Sequence, residues 1–387
     1  MTVKYECDII LLSYESPGLL KKCVESVFKY TRVPVRLIIV DNASKDPAVA
    51  EYLNAVESSG NVAVRKLFND ENLGFAAGIN EGMKISDSPY VCLLNNDCEV
   101  TDGWLREMLL VAESSSEIGI VNPESNTFGS VPAEGVSIHD HAVRLQKNSE
   151  KYVEIGHAIG FACLIKREVI DSIGYLDEIY SGVCYEDSDF SIRAQKAGFI
   201  PVIAEGAYVF HEEQASRKDL AGKEKIYACN KKIFEDRWGK ILRILLLDPE
   251  SKKTVDVLGY YGALRKLAKE RAFLKIWTVS GRPGSRVDDA VKSGILIKHT
   301  DIAITVFKRR IKMSDVVLRI LTKKKKYNAI FTADIHLARV LRFLKPFHGG
   351  EVFTLDDSYE VTTGKSEKLS LYDDAQRIAS CLREERG

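Results

Sequence analysis

The sequence has no CxxC pair among its eight cysteines, no net charge, and no apolar run near the roughly 20 residues that span a bilayer. Each absence excludes something. Scattered thiols, some inside apolar runs as at Cys92 and Cys163, rule out a disulfide or zinc framework and read as reduced, buried groups in a cytoplasmic protein. Short apolar runs, and a polar start from Met1 to Glu6, point to a soluble chain without a signal peptide, at most peripheral to a membrane. Fifty-five acidic residues balance fifty-five basic ones, so no overall field draws nucleic acid. No GxGxxG follows the first apolar run, and no Gly-rich basic loop does either. Both facts disfavour a dinucleotide-dependent enzyme or a nucleotidyltransferase. Internal repeats and low-complexity tracts are also missing.

What is present is a chain of 387 residues, 45% hydrophobic and 28% charged, long enough for two domains. Basic runs gather beyond residue 217, among them Lys308-Arg309-Arg310 and Lys323 to Lys326. They read either as solvated helix faces or as a patch for acidic lipid or a charged polymer.

The first half alternates strand and helix signals. Residues 7–13 (CDIILLS), 35–40, 62–67 and 90–94 are short apolar runs suited to buried parallel strands. Ser16-Pro17 reads as an N-cap and first helical position, followed by Leu19, Leu20, Cys23, Val24, Val27 and Phe28 at helical spacing. Periodicity fades over residues 123–154 and returns at 159–166, with a further helix over 186–198. A second α/β series starts near Phe273, with strands expected at 274–279, 302–307, 328–332 and 352–355. The expected organisation is an α/β domain over 1–245 with a mainly parallel sheet, a helical linker over 246–272, and a smaller Rossmann-like α/β domain over 273–387.

Carboxylates recur where strands end or helices begin, the edge at which open α/β sheets bind ligands. Asp41 follows the second strand, placed to accept a hydrogen bond from a nucleobase imide. Asp97 closes Asn95-Asn96-Asp97 as a hard oxygen ligand, and His211 ends Tyr208-Val209-Phe210, able to complete a Mg²⁺ or Mn²⁺ site with it. Glu186 and Asp187 open a helix and point in different directions, so one can face the crevice. Asp189 and Arg193 are spaced as an ordinary i,i+4 pair. Asn72, Gly74, Gly78 and Asn80 suggest a strand-to-helix turn whose N–H groups favour phosphate.

Six stretches in order, IIVDNAS (38–44), NDENLGFAAGIN (69–80), LLNNDCEV (93–100), IGFACLIKREVIDSIGYLDE (159–178), YEDSDFSIRAQKAGF (185–199) and HEEQAS (211–216), resemble family 2 glycosyltransferases of the GT-A fold. The resemblance is to their rhamnosyl- and galactofuranosyl-transferase-like branch. It implies an inverting, metal-dependent transfer from a nucleotide-diphosphate sugar, dTDP-rhamnose or a UDP-sugar, to a glycan or lipid-linked acceptor of a surface polysaccharide, O-antigen or cell-wall glycan. Asp187 would be the general base, with Glu186 as orienting neighbour or runner-up. Asp97 and His211 would hold the metal. Asp41, Asn42, Ser44, Asn72, Gly74, Asn80, Asn96 and Ser216 would contact substrate, Ser216 at the diphosphate. Asn96 stands where many relatives carry an acid, which implies modest metal affinity. Residues 281–294, 327–334 and 354–360 resemble the N-terminal half of GT-B glycosyltransferases, although Gly281 to Gly284 reads more simply as a turn than as a phosphate loop. The rival readings are a nucleotide-sugar-binding scaffold without turnover and a nucleotidyl- or dinucleotide-dependent enzyme.

Overall fold

A computed structural model describes residues 5–182, 184–212, 220–248, 256–308, 312–356, 359–362 and 368–384. The chain forms two compact units, Met1–Arg237 and Trp238–Gly387.

The first unit is built on strands β1 (Cys7–Ser13), β2 (Val35–Asp41), β3 (Val62–Phe68), β4 (Tyr90–Asn95), β5 (Cys98–Val100), β6 (Ile118–Glu124), β7 (Tyr152–Glu154), β8 (Ala162–Lys166) and β9 (Ile200–His211). They run in the order β3-β2-β1-β4-β8-β6-β9-β5, with β7 added to β9. The first four are mutually parallel, β8 runs against β4 and β6, and β5 runs against β9. Side chains alternate across a strand, and both faces are covered. Ile9, Leu11, Leu37 and Ile39 pack with Leu20, Val24 and Val27 of helix Pro17–Tyr30. Ile10, Ile38 and Val40 pack with Ile79 and Met83 of helix Phe75–Lys84 on the other side. Burial on both faces is why these strands read as unbroken apolar runs. Each such side chain contributes about 1.5–3 kcal/mol of transfer free energy.

The second unit carries β10 (Leu242–Leu247), β11 (Ala272–Val279), β12 (Ile302–Phe307), β13 (Ala329–Thr332), β14 (Glu351–Leu355), β15 (Glu360–Thr362) and β16 (Lys368–Ser370), ordered β12-β11-β10-β13-β14-β15-β16. The first five are parallel and the last two antiparallel. The linker expected over 246–272 does not separate the units. Leu242–Leu247 is an interior strand of the second sheet, and Tyr260, Leu264 and Leu267 of helix Val257–Lys269 lie in its core. Its run LRILLL is the apolar signature of a doubly covered strand.

Two local expectations are corrected. Ser16 begins helix Pro17–Tyr30 in the left-handed region, at φ 55°, and its side chain makes no capping bond. The adjacent Glu15 carboxylate instead accepts from the Lys45 and Asp46 backbone N–H groups. Residues 123–154 are not structureless, for helix Ile138–Leu145 is capped by Ser137 and β7 follows.

Helix Phe75–Lys84 sits unusually low on the sheet. A Cβ on Gly82 would lie 2.5 Å from Ile10 Cγ2, and one on Gly78 would lie 2.6 Å from Leu12 Cδ1. Gly82→Ala is therefore expected to destabilise the first unit by about 1–3 kcal/mol through overpacking. Denaturant unfolding checks this, and an unchanged midpoint would contradict the close approach.

Candidate active site

The carboxyl ends of β2, β1 and β4 define one edge. Ser13 is paired with Asp41 across β1 and β2, and Leu12 with Asn95 across β1 and β4. Two strand spacings, about 10 Å, therefore separate the Asp41 and Asn95 positions. Asp41 Oδ1 accepts a 2.5 Å hydrogen bond from Ser44 Oγ, which in turn accepts from the Glu15 backbone N–H. Ser44 thus steadies Asp41, leaving its second oxygen for a ligand.

Three of the expected substrate contacts are occupied inside the protein. Asn42 is buried and its amide is saturated. It donates to Asn72 Oδ1 and the Gly74 carbonyl, and accepts from Asn69 Nδ2 and the Leu73 N–H. With two donors and two lone pairs used, it organises the loop rather than a substrate. Asn72 Oδ1 also accepts from the Gly74 N–H, an Asx turn that sets Gly74 at φ 81° before the helix. Asn80, also buried, clasps the Leu176 backbone and Glu178 Oε1. Gly78 and Asn80 lie within helix Phe75–Lys84, where Gly78 N–H already bonds the Gly74 carbonyl, so the expected phosphate nest does not extend to them.

Asn96 is half-buried in the tight turn between β4 and β5. That turn delivers Asp97 to a position beside His211, because Cys98 pairs with His211 across β5 and β9. His211 Nε2 lies 3.2 Å from Asp97 Oδ1. Asp97 is 7% exposed, yet that buried oxygen accepts no hydrogen bond among the described residues. An orphaned carboxylate oxygen facing an imidazole nitrogen is a donor set that fits a divalent cation. Cys98 Sγ belongs to the same cluster, all three ligand atoms lying within 4.8 Å of one another. Its thiol, however, donates to the Phe161 carbonyl at 3.4 Å, and burial pushes it well above the usual thiol range. It is a core thiol. Ser216 lies outside the described residues.

Asp187 Oδ2 accepts from the Gly160 N–H at 3.1 Å, and Oδ1 from the Ser188 N–H at 2.6 Å. Glu186, beside it, turns into an apolar recess lined by Phe75, Leu93, Ala158, Cys163, Leu176 and Phe190. Burial, and secondarily the Asp187 charge, push the Glu186 carboxyl up to about 8. Its Oε2 is buried and unbonded. Asp189 forms the expected pair with Arg193 at 2.8 Å and meets Arg237 at 3.0 Å. Cys184 and Tyr185, immediately before this helix, hold φ of 83° and 79°. Such backbone costs of order 1–3 kcal/mol per residue and concentrates at functional sites.

Sequence reasoning missed the residues that join these parts. Asn122, fully buried in β6, donates to the Ile159 and Ala162 carbonyls at 2.7 and 2.6 Å and accepts from the Ile159 N–H. It fixes the segment from which Gly160 reaches Asp187. The next residue, Phe161, stacks on the His211 ring, 5.1 Å between centroids and 11° between planes. Asn126 exchanges two 2.8 Å hydrogen bonds with the His211 backbone. A buried Asn inside an apolar strand, as in IVNPE, was the available signal.

Carboxylates and an imidazole thus stand at the strand ends of an α/β unit, the edge at which such sheets bind ligands. Residues 8–174, within the first unit, match the sequence profile of the family described as glycosyl transferase family 2. The GT-A type of unit expected from the resemblance accords with that family. The chain is 27% identical over 249 residues to the uncharacterized Sinorhizobium fredii protein y4gI, covering 60% of this chain and 27% of that protein. It is 23% identical over 211 residues to the low-salt glycan biosynthesis hexosyltransferase Agl10 of Haloferax volcanii, covering 50% and 63%. It therefore spans less than two thirds of either relative. Among solved structures, GalNAc-T7 with UDP, GalNAc and Mn²⁺ is similar at 16% identity and TM-score 0.46, covering 59% of this chain and 50% of that one.

The raised Glu186 carboxyl has a thermodynamic consequence. The folded state keeps its proton to about pH 8, whereas the unfolded chain releases it near 4.5. Stability is thus greatest below the lower value and falls as pH rises through the upper one. Glu186→Gln should leave Tm little changed at pH 5 and raise it relative to wild type at pH 8.5. A pH-independent difference would contradict the burial assigned to this carboxyl.

Proposed function

We propose that this protein is an inverting glycosyltransferase that moves a sugar from a nucleoside-diphosphate donor to a hydroxyl of a growing surface glycan or lipid-linked acceptor. The observation that carries the reading is the linkage of Asp187 and the Asp97–His211 pair through adjacent residues, Gly160 and Phe161. Asp97 and His211 would hold Mg²⁺ or Mn²⁺, which supplies Lewis-acid relief of the charge on the departing diphosphate.

The protein's own groups do the rest. Asp41, steadied by Ser44, orients the nucleobase by accepting its imide N–H. Gly74 at the start of helix Phe75–Lys84 and Asn96 in the β4–β5 turn lie along the donor's path. Glu186, protonated to about pH 8 by its apolar recess, leaves the negative charge of the pair on Asp187. Asp187 takes the acceptor hydroxyl proton as the acceptor oxygen bonds to the anomeric carbon. The bond to the diphosphate breaks on the opposite face and its electron pair departs with the nucleotide, inverting the centre.

A rhamnosyl or galactofuranosyl donor remains the sequence-level expectation. The Haloferax hexosyltransferase named for glycan biosynthesis supports a glycan product. Among the described residues no helix is long and apolar enough to cross a membrane. Five thiols, Cys7, Cys23, Cys92, Cys98 and Cys163, are buried and free, which suits the cytoplasmic location expected above.

Asp187→Asn should lower turnover about 10²–10⁴-fold while donor affinity, read by protection against thermal unfolding, stays near wild type. Unchanged turnover would remove Asp187 from the role, and donor binding without transfer by the wild-type protein would favour the scaffold reading.

For His211→Ala, the Mn²⁺ concentration giving half-maximal donor protection should rise at least about tenfold. An identical Mn²⁺ titration would refute the ligand assignment.

A further inference from the structure

The second unit holds an open pocket of about 570 Å³ lined by Arg243, Trp277, Arg319, Thr322 and the run Lys323 to Lys325. It lies against the sheet face carrying Leu245 and Trp277, under the C-terminal end of helix Met313–Leu321. The pocket runs from Arg243, near the start of β10, to Trp277, which pairs with Leu247 at the end of that strand.

The cations here are not engaged as surface cations usually are. Among the described residues none of Arg243, Arg319, Lys323, Lys324 or Lys325 has an acidic partner. Arg243 stacks its guanidinium over Phe273, 5.0 Å from the ring centroid, and Arg319 does the same over Phe307 at 5.5 Å. A stacked guanidinium keeps its in-plane N–H groups free for an anion. Arg243 Nε is buried and makes no hydrogen bond, a cost the fold carries without internal return. The nearby Lys275 ammonium is depressed, first by burial and then by Lys323. Like charges held this close repel unless something of opposite sign joins them.

We infer that this pocket binds a phosphate-bearing ligand: a diphosphate or phosphate ester whose oxygens meet Arg243 and Arg319 and whose charge the lysine run offsets. Five cations exceed what one carboxylate balances, and planar guanidinium pairs match phosphate geometry. The volume leaves room for a group attached to the phosphate. The ligand is either a soluble ester or the headgroup of an anionic lipid. The site is independent of the transfer reaction proposed above.

The test uses the full chain in EDTA, so that no divalent cation recruits phosphate to Asp97 and His211. Inorganic pyrophosphate is titrated calorimetrically into wild type, Lys323→Glu/Lys325→Glu, Asp97→Ala, and the control Lys147→Glu/Lys298→Glu, all the lysines being exposed. Saturable binding by wild type, Asp97→Ala and the control, weakened at least about tenfold in Lys323→Glu/Lys325→Glu, supports the site. No binding by wild type, equal affinity in all four proteins, or equal loss in the control overturns it. Flotation with phosphatidylcholine vesicles, with or without phosphatidylglycerol, separates the sources. Wild-type flotation that needs phosphatidylglycerol and fails in Lys323→Glu/Lys325→Glu assigns the site to a lipid headgroup. Pyrophosphate binding without flotation assigns it to a soluble ester.

Discussion

The short segment from Ile159 to Ala162 is the constraint on which the site's geometry depends. It leads into the start of β8, and the Phe161 carbonyl already accepts from the Asn95 N–H at 2.8 Å. Asn122 adds three hydrogen bonds made from a fully buried position. The bonds act on backbone groups at both ends of the segment, so the two residues between them inherit a fixed place. One gives its N–H to Asp187 and the other its ring to His211. Side chains more than twenty positions apart in sequence are thereby held to a common ruler one peptide long. The loss of Asn122 would be felt at both ends together, because a buried amide in a low-dielectric interior is costly to leave half-satisfied.

Around that ruler the protein tolerates local cost. Cys184 and Tyr185 hold positive φ before the Glu186 helix, and Glu15, Ser16 and Ala43 do so beside Asp41. Glu186 is kept in apolar surroundings without a partner for Oε2, and Asp97 Oδ1 is likewise unbonded. These debits are concentrated at one edge of one sheet, while the strands beneath are fully covered. A stable double-faced core can support strained, polar and unsatisfied groups at its rim.

The sheet was legible because burial on both faces writes itself as short apolar runs, as in β1, β2 and β4. Asp97 and His211 drew attention because they sit where such runs end, and Asp187 because it lies in the first turn of a helix. Asn42 and Asn80 have internal partners that the sequence does not announce, because an Asn at a strand end or in a helix is equally suited to a ligand and to nearby backbone. Only the three-dimensional partners, Leu73 and Gly74 in one case and Leu176 in the other, decide. The unit boundary was placed too late because LRILLL follows a long helix and precedes residues of weak pattern, so its strand character had no neighbours to confirm it. Asn122 offered only the signal of a polar residue inside an apolar run, and Phe161 none, since their role is exerted across the sheet.

The two units share a sheet order in which later strands add on both sides of the first, and their polar ends differ in a way that matters chemically. At the end of β10 the buried Asp248 accepts from Thr278 Oγ1, Tyr260 Oη and the Gly284 N–H. A Cβ on Gly284 would lie 3.0 Å from that carboxylate. The start of helix Pro283–Lys292 is thus already filled by an internal anion. This is why Gly281 to Gly284 forms a turn and offers no place to a nucleotide phosphate. The first unit leaves carboxylate oxygens unbonded at its strand ends. The second saturates its carboxylate there and leaves guanidinium and ammonium groups without acidic partners, among the described residues, along one sheet face. The same doubly wound frame has therefore been given opposite electrostatic tasks. The strand ends of the first suit a cation and a proton in transit, and the sheet face of the second suits an anion held in place.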